Sequence, residues 1–78
     1  MNNVENLVID SDPKINIAKS IIETEFFIDN TQEISISINN SIILDQEDIL
    51  NIKDNYIELS KDIEINKKDC IVVIYNKI

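Results

Sequence analysis

The 78-residue chain has no glycine, no histidine, no tryptophan and no arginine, and only one proline and one cysteine. Each gap removes a kind of chemistry. Without histidine the usual general base near neutral pH and the commonest metal ligand are missing. Without glycine a phosphate-cradling loop of the Gly-rich type cannot be built. Without arginine there is no bidentate clamp for phosphate or carboxylate. The one cysteine, Cys70, rules out an internal disulfide. It stands in the apolar run from Cys70 to Tyr75, which predicts a small buried hydrophobe. The stretch Met1-Asn2-Asn3-Val4-Glu5 has neither a basic region nor a long apolar segment, so an ordinary signal peptide or membrane helix is not expected and a cytoplasmic setting is.

What is present is acid and isoleucine. The formal charge is -8 and the hydrophobic share is 44%, enough apolar surface for folding along the whole length. The length suits one small acidic domain over residues 1–78. The richness in Ile, Asn and Lys fits AT-rich coding and carries no functional meaning. A charge of this sign repels nucleic acid, whose binding rests on Lys and Arg against phosphates. It attracts a basic protein surface, and it also simply keeps an Ile-rich chain in solution.

Leu7 to Asp10 reads as a strand, and Ser11-Asp12-Pro13 as a helix start with Asp12 as N-cap and Pro13 in the first turn. From there Ile15, Ala18, Ile22 and Phe26 keep helical spacing, with Ile17, Ile21 and Ile28 on another side. Glu33 to Ile38 alternates as a half-buried strand, and Asn39-Asn40 is a turn. A two-residue turn would set Ile38 opposite Ser41. A three-residue loop, which matches the apolar faces better, sets Ile38 opposite Ile42 and Ile36 opposite Leu44. A hairpin about Asp54-Asn55 pairs Ile52 with Ile57 and Leu50 with Leu59. Ile63-Glu64-Ile65 and Cys70 to Tyr75 form a last hairpin, its second strand central because both parities are apolar. The expected fold class is therefore α+β, one N-terminal helix packed on an antiparallel β-meander of short strands. A β-solenoid is disfavoured because there is no glycine for its corners.

The candidate chemistry is thin. Asp45, Glu47 and Asp48 could offer oxygen to a divalent cation, but their spacing is not that of a calcium loop, so no metal is expected. Paired carboxylates run glycosidic hydrolysis only across a cleft, and a domain this small offers little room for one. No serine stands in a nucleophile-elbow context. The chain is accordingly expected to be no enzyme and to need no cofactor. Tyr56 and Tyr75 combine an aromatic body with a polar tip and suit cross-strand packing, Tyr56 lying exposed beside Lys53.

The remaining feature is a run of carboxylates against few lysines. Asp45, Glu47, Asp48, Asp54, Glu58, Asp62 and Glu64, with Tyr56 among them, are the expected partner-binding residues. The expected function is a non-catalytic protein-binding module. By analogy of size and charge it is a phage or mobile-element inhibitor that blocks a basic nucleic-acid-binding partner with an acidic surface. Direct contact with nucleic acid or membrane is not expected, and the oligomeric state is left open by the sequence. The alternative is a structural assembly subunit, a virion or coat component, that oligomerises through a sheet edge or the Ile17 and Ile21 helix stripe.

Overall fold

Isoleucine is branched at Cβ and packs best on a pleated backbone, and the regular structure of this chain is almost entirely strand. The computed structural model describes residues 6–78. In chain order the strands are β1 (Leu7–Asp10), β2 (Lys14–Asn16), β3 (Ile21–Glu23), β4 (Ser35–Ile38), β5 (Ile42–Ile43), β6 (Ile49–Lys53), β7 (Tyr56–Leu59) and β8 (Ile71–Asn76). A 3-10 turn, Gln46–Asp48, leads into β6. The strands make two antiparallel sheets, the first in the order β1-β8-β4-β5 and the second in the order β2-β3-β7-β6. The architecture is all-β, so the expected α+β fold is overturned, and its plain meander gives way to two sheets. No helix among the described residues is long and apolar enough to cross a membrane.

The predicted helix is instead a hairpin. Lys14 lies opposite Glu23, Ile15 opposite Ile22, and Asn16 opposite Ile21. The side chain of Asn16 accepts a hydrogen bond from the Lys19 amide at 3.1 Å, and Ser20 sits at φ 55. An Asn that bonds to nearby backbone stabilises a turn at the expense of a helix, and β-branched Ile15, Ile17, Ile21 and Ile22 resist helical crowding. The supposed stripe is accordingly scattered: Ile22 is buried, Ile15 half-buried, and Ala18 and Phe26 exposed. Of the second stripe, Ile28 is buried in a bridge to Lys77, and Ile17 stands exposed in the turn.

Both sheets turn one face inward onto a shared core. Ile36, Ile38, Ile71, Val73 and Tyr75 come from the first sheet, and Ile22, Ile57 and Leu59 from the second. Each fully buried side chain of this size contributes about 1.5–3 kcal/mol relative to exposure. Ile65 also plugs the core, but from a loop. The predicted strand Ile63 to Ile65 does not form, because β8 already has two partners, β1 and β4. β8 is central, as its pattern predicts, although its outward residues Val72 and Ile74 are half-buried and nothing among the described residues is layered over them as a further sheet.

The segment between β3 and β4 joins the sheets. Thr24 is buried with its hydroxyl 2.9 Å from the Phe26 carbonyl oxygen, and the Asn55 side-chain amide donates to the Thr24 carbonyl at 2.9 Å. The Phe26 amide donates to the Tyr75 hydroxyl at 3.1 Å. Further on, the Ile28 amide donates to the Asp54 carbonyl in the second sheet, and the Asp29 amide to the Asn76 carbonyl in the first, each at 2.8 Å.

Two turns behave as the sequence predicts. Asn39 and Asn40 have φ of 54 and 59, and Ile38 faces Ile42 across a three-residue loop. The Leu44 amide then bonds to the Ile36 carbonyl at 2.9 Å. The two-residue turn at Asp54-Asn55 sets Ile52 opposite Ile57. The predicted pairing of Leu50 with Leu59 fails, since a bulge between Ile49 and Asn51 brings Ile49 opposite Leu59 and leaves Leu50 58% exposed.

Candidate binding surfaces

The expected partner-binding residues fall along one hairpin and its flanks. Asp45, Glu47 and Asp48 sit in the connection between β5 and β6, where the Asp45 amide donates to Asp48 Oδ2 at 2.9 Å and the Asp48 amide to the Asp45 carbonyl at 3.0 Å. One carboxylate is therefore spent on its own turn. The Ser60 amide donates to the Asp48 carbonyl at 2.8 Å, which brings the start of the β7–β8 loop, with Asp62, beside this acidic turn. Glu64 lies two residues further along that loop, exposed. Asp54 sits at the opposite, closed end of the same hairpin, at φ 55.

Tyr56 and Glu58 are on the outward side of β7, between these ends. Because directly opposed residues share a face, the register lays out two rows across the second sheet. Lys14, Glu23, Tyr56 and Lys53 form one row, and Asn16, Ile21, Glu58 and Asn51 the other. Lys14 Nζ lies 3.9 Å from Glu23 Oε2. The Glu23 carboxylate, hydrogen-bonded to Tyr56 and adding its charge, holds the Tyr56 phenol above its ordinary value. Two lysines thus offset the two glutamates here. The structure gathers Asp45, Glu47, Asp48 and Asp62 at the open end of the hairpin, but it does not join them to Asp54 in one negative face. Tyr75, the other tyrosine, is fully buried.

Hollows between the sheets and loops are open troughs. One, about 600 Å³, runs between the Ile9–Lys14 segment and Glu23–Glu25, and another of about 500 Å³ lies over Ile15, Ile21 and Tyr56. Among the described residues no three carboxylate or thiol side chains converge as a metal-holding group. Cys70, predicted to be buried, is exposed. It precedes β8 on the outward parity, and its amide donates to Asn39 Oδ1 at 2.7 Å. Two exposed aspartates are held below the ordinary carboxylate value of 3.8. Asp29 accepts from the Thr31 hydroxyl and amide, and Asp69 from the Asn66 amide and the Asn39 side chain.

Sequence reasoning missed the outward face of the first sheet. There β1 contributes Leu7 and Ile9, β8 contributes Val72 and Ile74, and β5 contributes Ile43. Leu7 is 48% exposed, Ile9 66% and Ile43 70%. The other strand residues on this side are Ser35, Ser37 and Asn76, so none of its strand residues is ionisable. The available signal was the double parity of apolar residues in Leu7 to Ile9 and in Ile71 to Ile74. In the Cys70 to Tyr75 strand this double parity predicts cover on both faces, whereas the outward side of β8 is only half-buried.

No protein-family model, curated protein or solved structure matches this chain. A phage or mobile-element origin and a role as inhibitor rested on a single acidic face, which the lysine-bearing rows interrupt, and both are set aside.

Proposed function

We propose that the chain is a non-catalytic, cytoplasmic protein-binding module whose acidic contact surface is the open end of the β6–β7 hairpin. Its partner is a protein with a basic surface. One observation carries this reading: the Ser60-to-Asp48 hydrogen bond holds two connections side by side, the one carrying Asp45, Glu47 and Asp48 and the other opening with Lys61 and Asp62. In a chain of net charge -8 this is where a cation-rich surface gains most, since potentials of like-charged neighbours add. Charge complementarity of this kind works through steering and specificity, and it weakens with salt.

The test is calorimetric titration of the whole chain with a lysine-rich peptide. Affinity should fall by roughly tenfold or more between low and physiological salt. The triple variant E47Q/D62N/E64Q should weaken binding well beyond a triple variant D12N/E25Q/E33Q that removes the same charge elsewhere. Equal losses from both triples would leave only net charge and sink the localised surface.

A further inference from the structure

The strand residues on the outward face of the first sheet include no ionisable side chain, in a chain where charged residues make up 28%. We infer that this face is a self-association surface, and that its occupant is the same face of a second copy in a two-fold dimer. The inference does not depend on the acidic contact, which lies on the hairpin of the other sheet.

Electrostatics selects the occupant. Two copies, each of net charge -8, repel wherever their acids meet. The outward face of the second sheet mixes Lys14 and Lys53 with Glu23 and Glu58. The corresponding face of the first sheet can meet its own image with no like charges opposed among its strand residues. A basic partner would be drawn to the carboxylates instead.

Shape agrees with charge. The columns of β1 and β8 are bulky, with Ile9 directly beside Ile74. The next column, on β4, is small, with Ser35 beside Ile74 and Ser37 between Val72 and Ile43. A hollow of about 410 Å³ opens over Ser35, walled by Leu7, Ile74 and Asn76 and by the Gln32–Ile34 segment. Glu33 stands at its rim. A ridge next to a groove on one surface is self-complementary under a two-fold axis, the isologous arrangement of most homodimers. Stacked sheets then pack about 10 Å apart with side chains interleaved.

Area limits the strength. Four strands about 4.8 Å apart, of four, six, four and two residues rising about 3.3 Å each, give a flat footprint on the order of 250 Å² per copy. That is roughly a third of what a standard interface buries per partner. The dimer is therefore weak and populates only at high protein concentration.

The experiment is sedimentation equilibrium of the full chain from about 10 μM to about 1 mM, at low and at high sodium chloride. The mass should rise toward twice that of the monomer and plateau. High salt should strengthen association several-fold, because it screens the repulsion between acidic copies without touching the apolar contact. The variants Ile9→Lys and Ile43→Lys, both at exposed edge positions and checked for fold by circular dichroism, should each raise the dissociation constant at least tenfold. As a measurement that needs no variant, amide resonances followed on dilution should shift at Leu7, Ile9, Ser35, Ser37, Val72 and Ile74. A monomer at about 1 mM in both salts would overturn the inference and hand the face to a different protein. So would association lost at high salt, mass growth without a plateau, or dilution shifts confined to Phe27 and Ile78.

Discussion

The two sheets are alike inward and unlike outward. Each presents alternate residues to one core, with Ile36, Val73 and Tyr75 on one side facing Ile22, Ile57 and Leu59 on the other. Outward, the second sheet sets lysine beside glutamate and tyrosine, whereas the strand residues of the first show only aliphatic side chains, serine and asparagine. Folding alone requires the inward pattern and is indifferent to the outward one, since exposed side chains contribute little to stability. The contrast between the outer faces is thus where function can be written without cost to the fold.

The comparison can be broken at its common part first. Ile57→Ala in the second sheet should cost about 2–5 kcal/mol in urea unfolding, and Val73→Ala in the first sheet somewhat less. Both should leave a single transition, because the sheets share one core. Two separate transitions in Val73→Ala would show sheets that stand independently.

The turns come next. Asn39→Ala in the first sheet removes the bonds to the Cys70 amide and to Asp69 and puts alanine at positive φ, for an expected loss of about 2 kcal/mol. Asp54→Ala in the second sheet meets only the backbone penalty, about 1 kcal/mol. Equal losses would mean that the side-chain bonds of Asn39 contribute nothing. Tyr75→Phe should cost about 1 kcal/mol by leaving the Phe26 amide without its acceptor. Thermal melting of that variant against the wild type measures it.

The outer charges of the second sheet should matter least. Lys14→Ala loses an ion pair at 3.9 Å in which the lysine is 86% exposed, and its effect should stay below about 0.5 kcal/mol. The acid limb of the stability profile is set partly in the loops. Asp29 and Asp69 have folded values below 3.8. Their contribution is present above that value and is lost as pH falls through the lower folded one. Asp69→Asn should therefore flatten the loss of melting temperature between pH 4 and pH 2, on the order of the width expected for a carboxylate titration.

How much of this was legible follows from what each segment needed. The Leu7–Asp10 strand, the alternation in Ser35–Ile38, the Asn39-Asn40 turn with its three-residue register and the Ile52–Ile57 pairing all depend on neighbours in sequence. The centrality of β8 was readable from its double apolar parity. The Asp12-Pro13 pair, by contrast, satisfies a strand-to-strand corner as well as a helix start, and Ile15 and Ile22, seven apart, suit one helical face as well as facing arms of a hairpin. Leu50 was misplaced because a bulge leaves no compositional mark. Ile63 to Ile65 alternates like a strand, but its expected partner β8 is already paired on both sides by β1 and β4. Of the candidate site, the acidic turn could be named from sequence. Its meeting with Asp62, and the lysines that divide Asp54 from it, depend on pairings between distant segments.

The placement of β8 has a kinetic consequence. Its partners are β1 and β4, at pairings that range from Ile38 with Ile71 to Leu7 with Asn76, so the middle of the first sheet has no contact that forms between near neighbours. Loop-closure entropy must be overcome before those ladders reward it. The β6–β7 hairpin, closed by two residues, has no such delay. It is the natural nucleus, and the barrier to folding is the late arrival of β8 between two waiting strands. A slow refolding phase sensitive to Val73 and insensitive to Ile52 would be its signature.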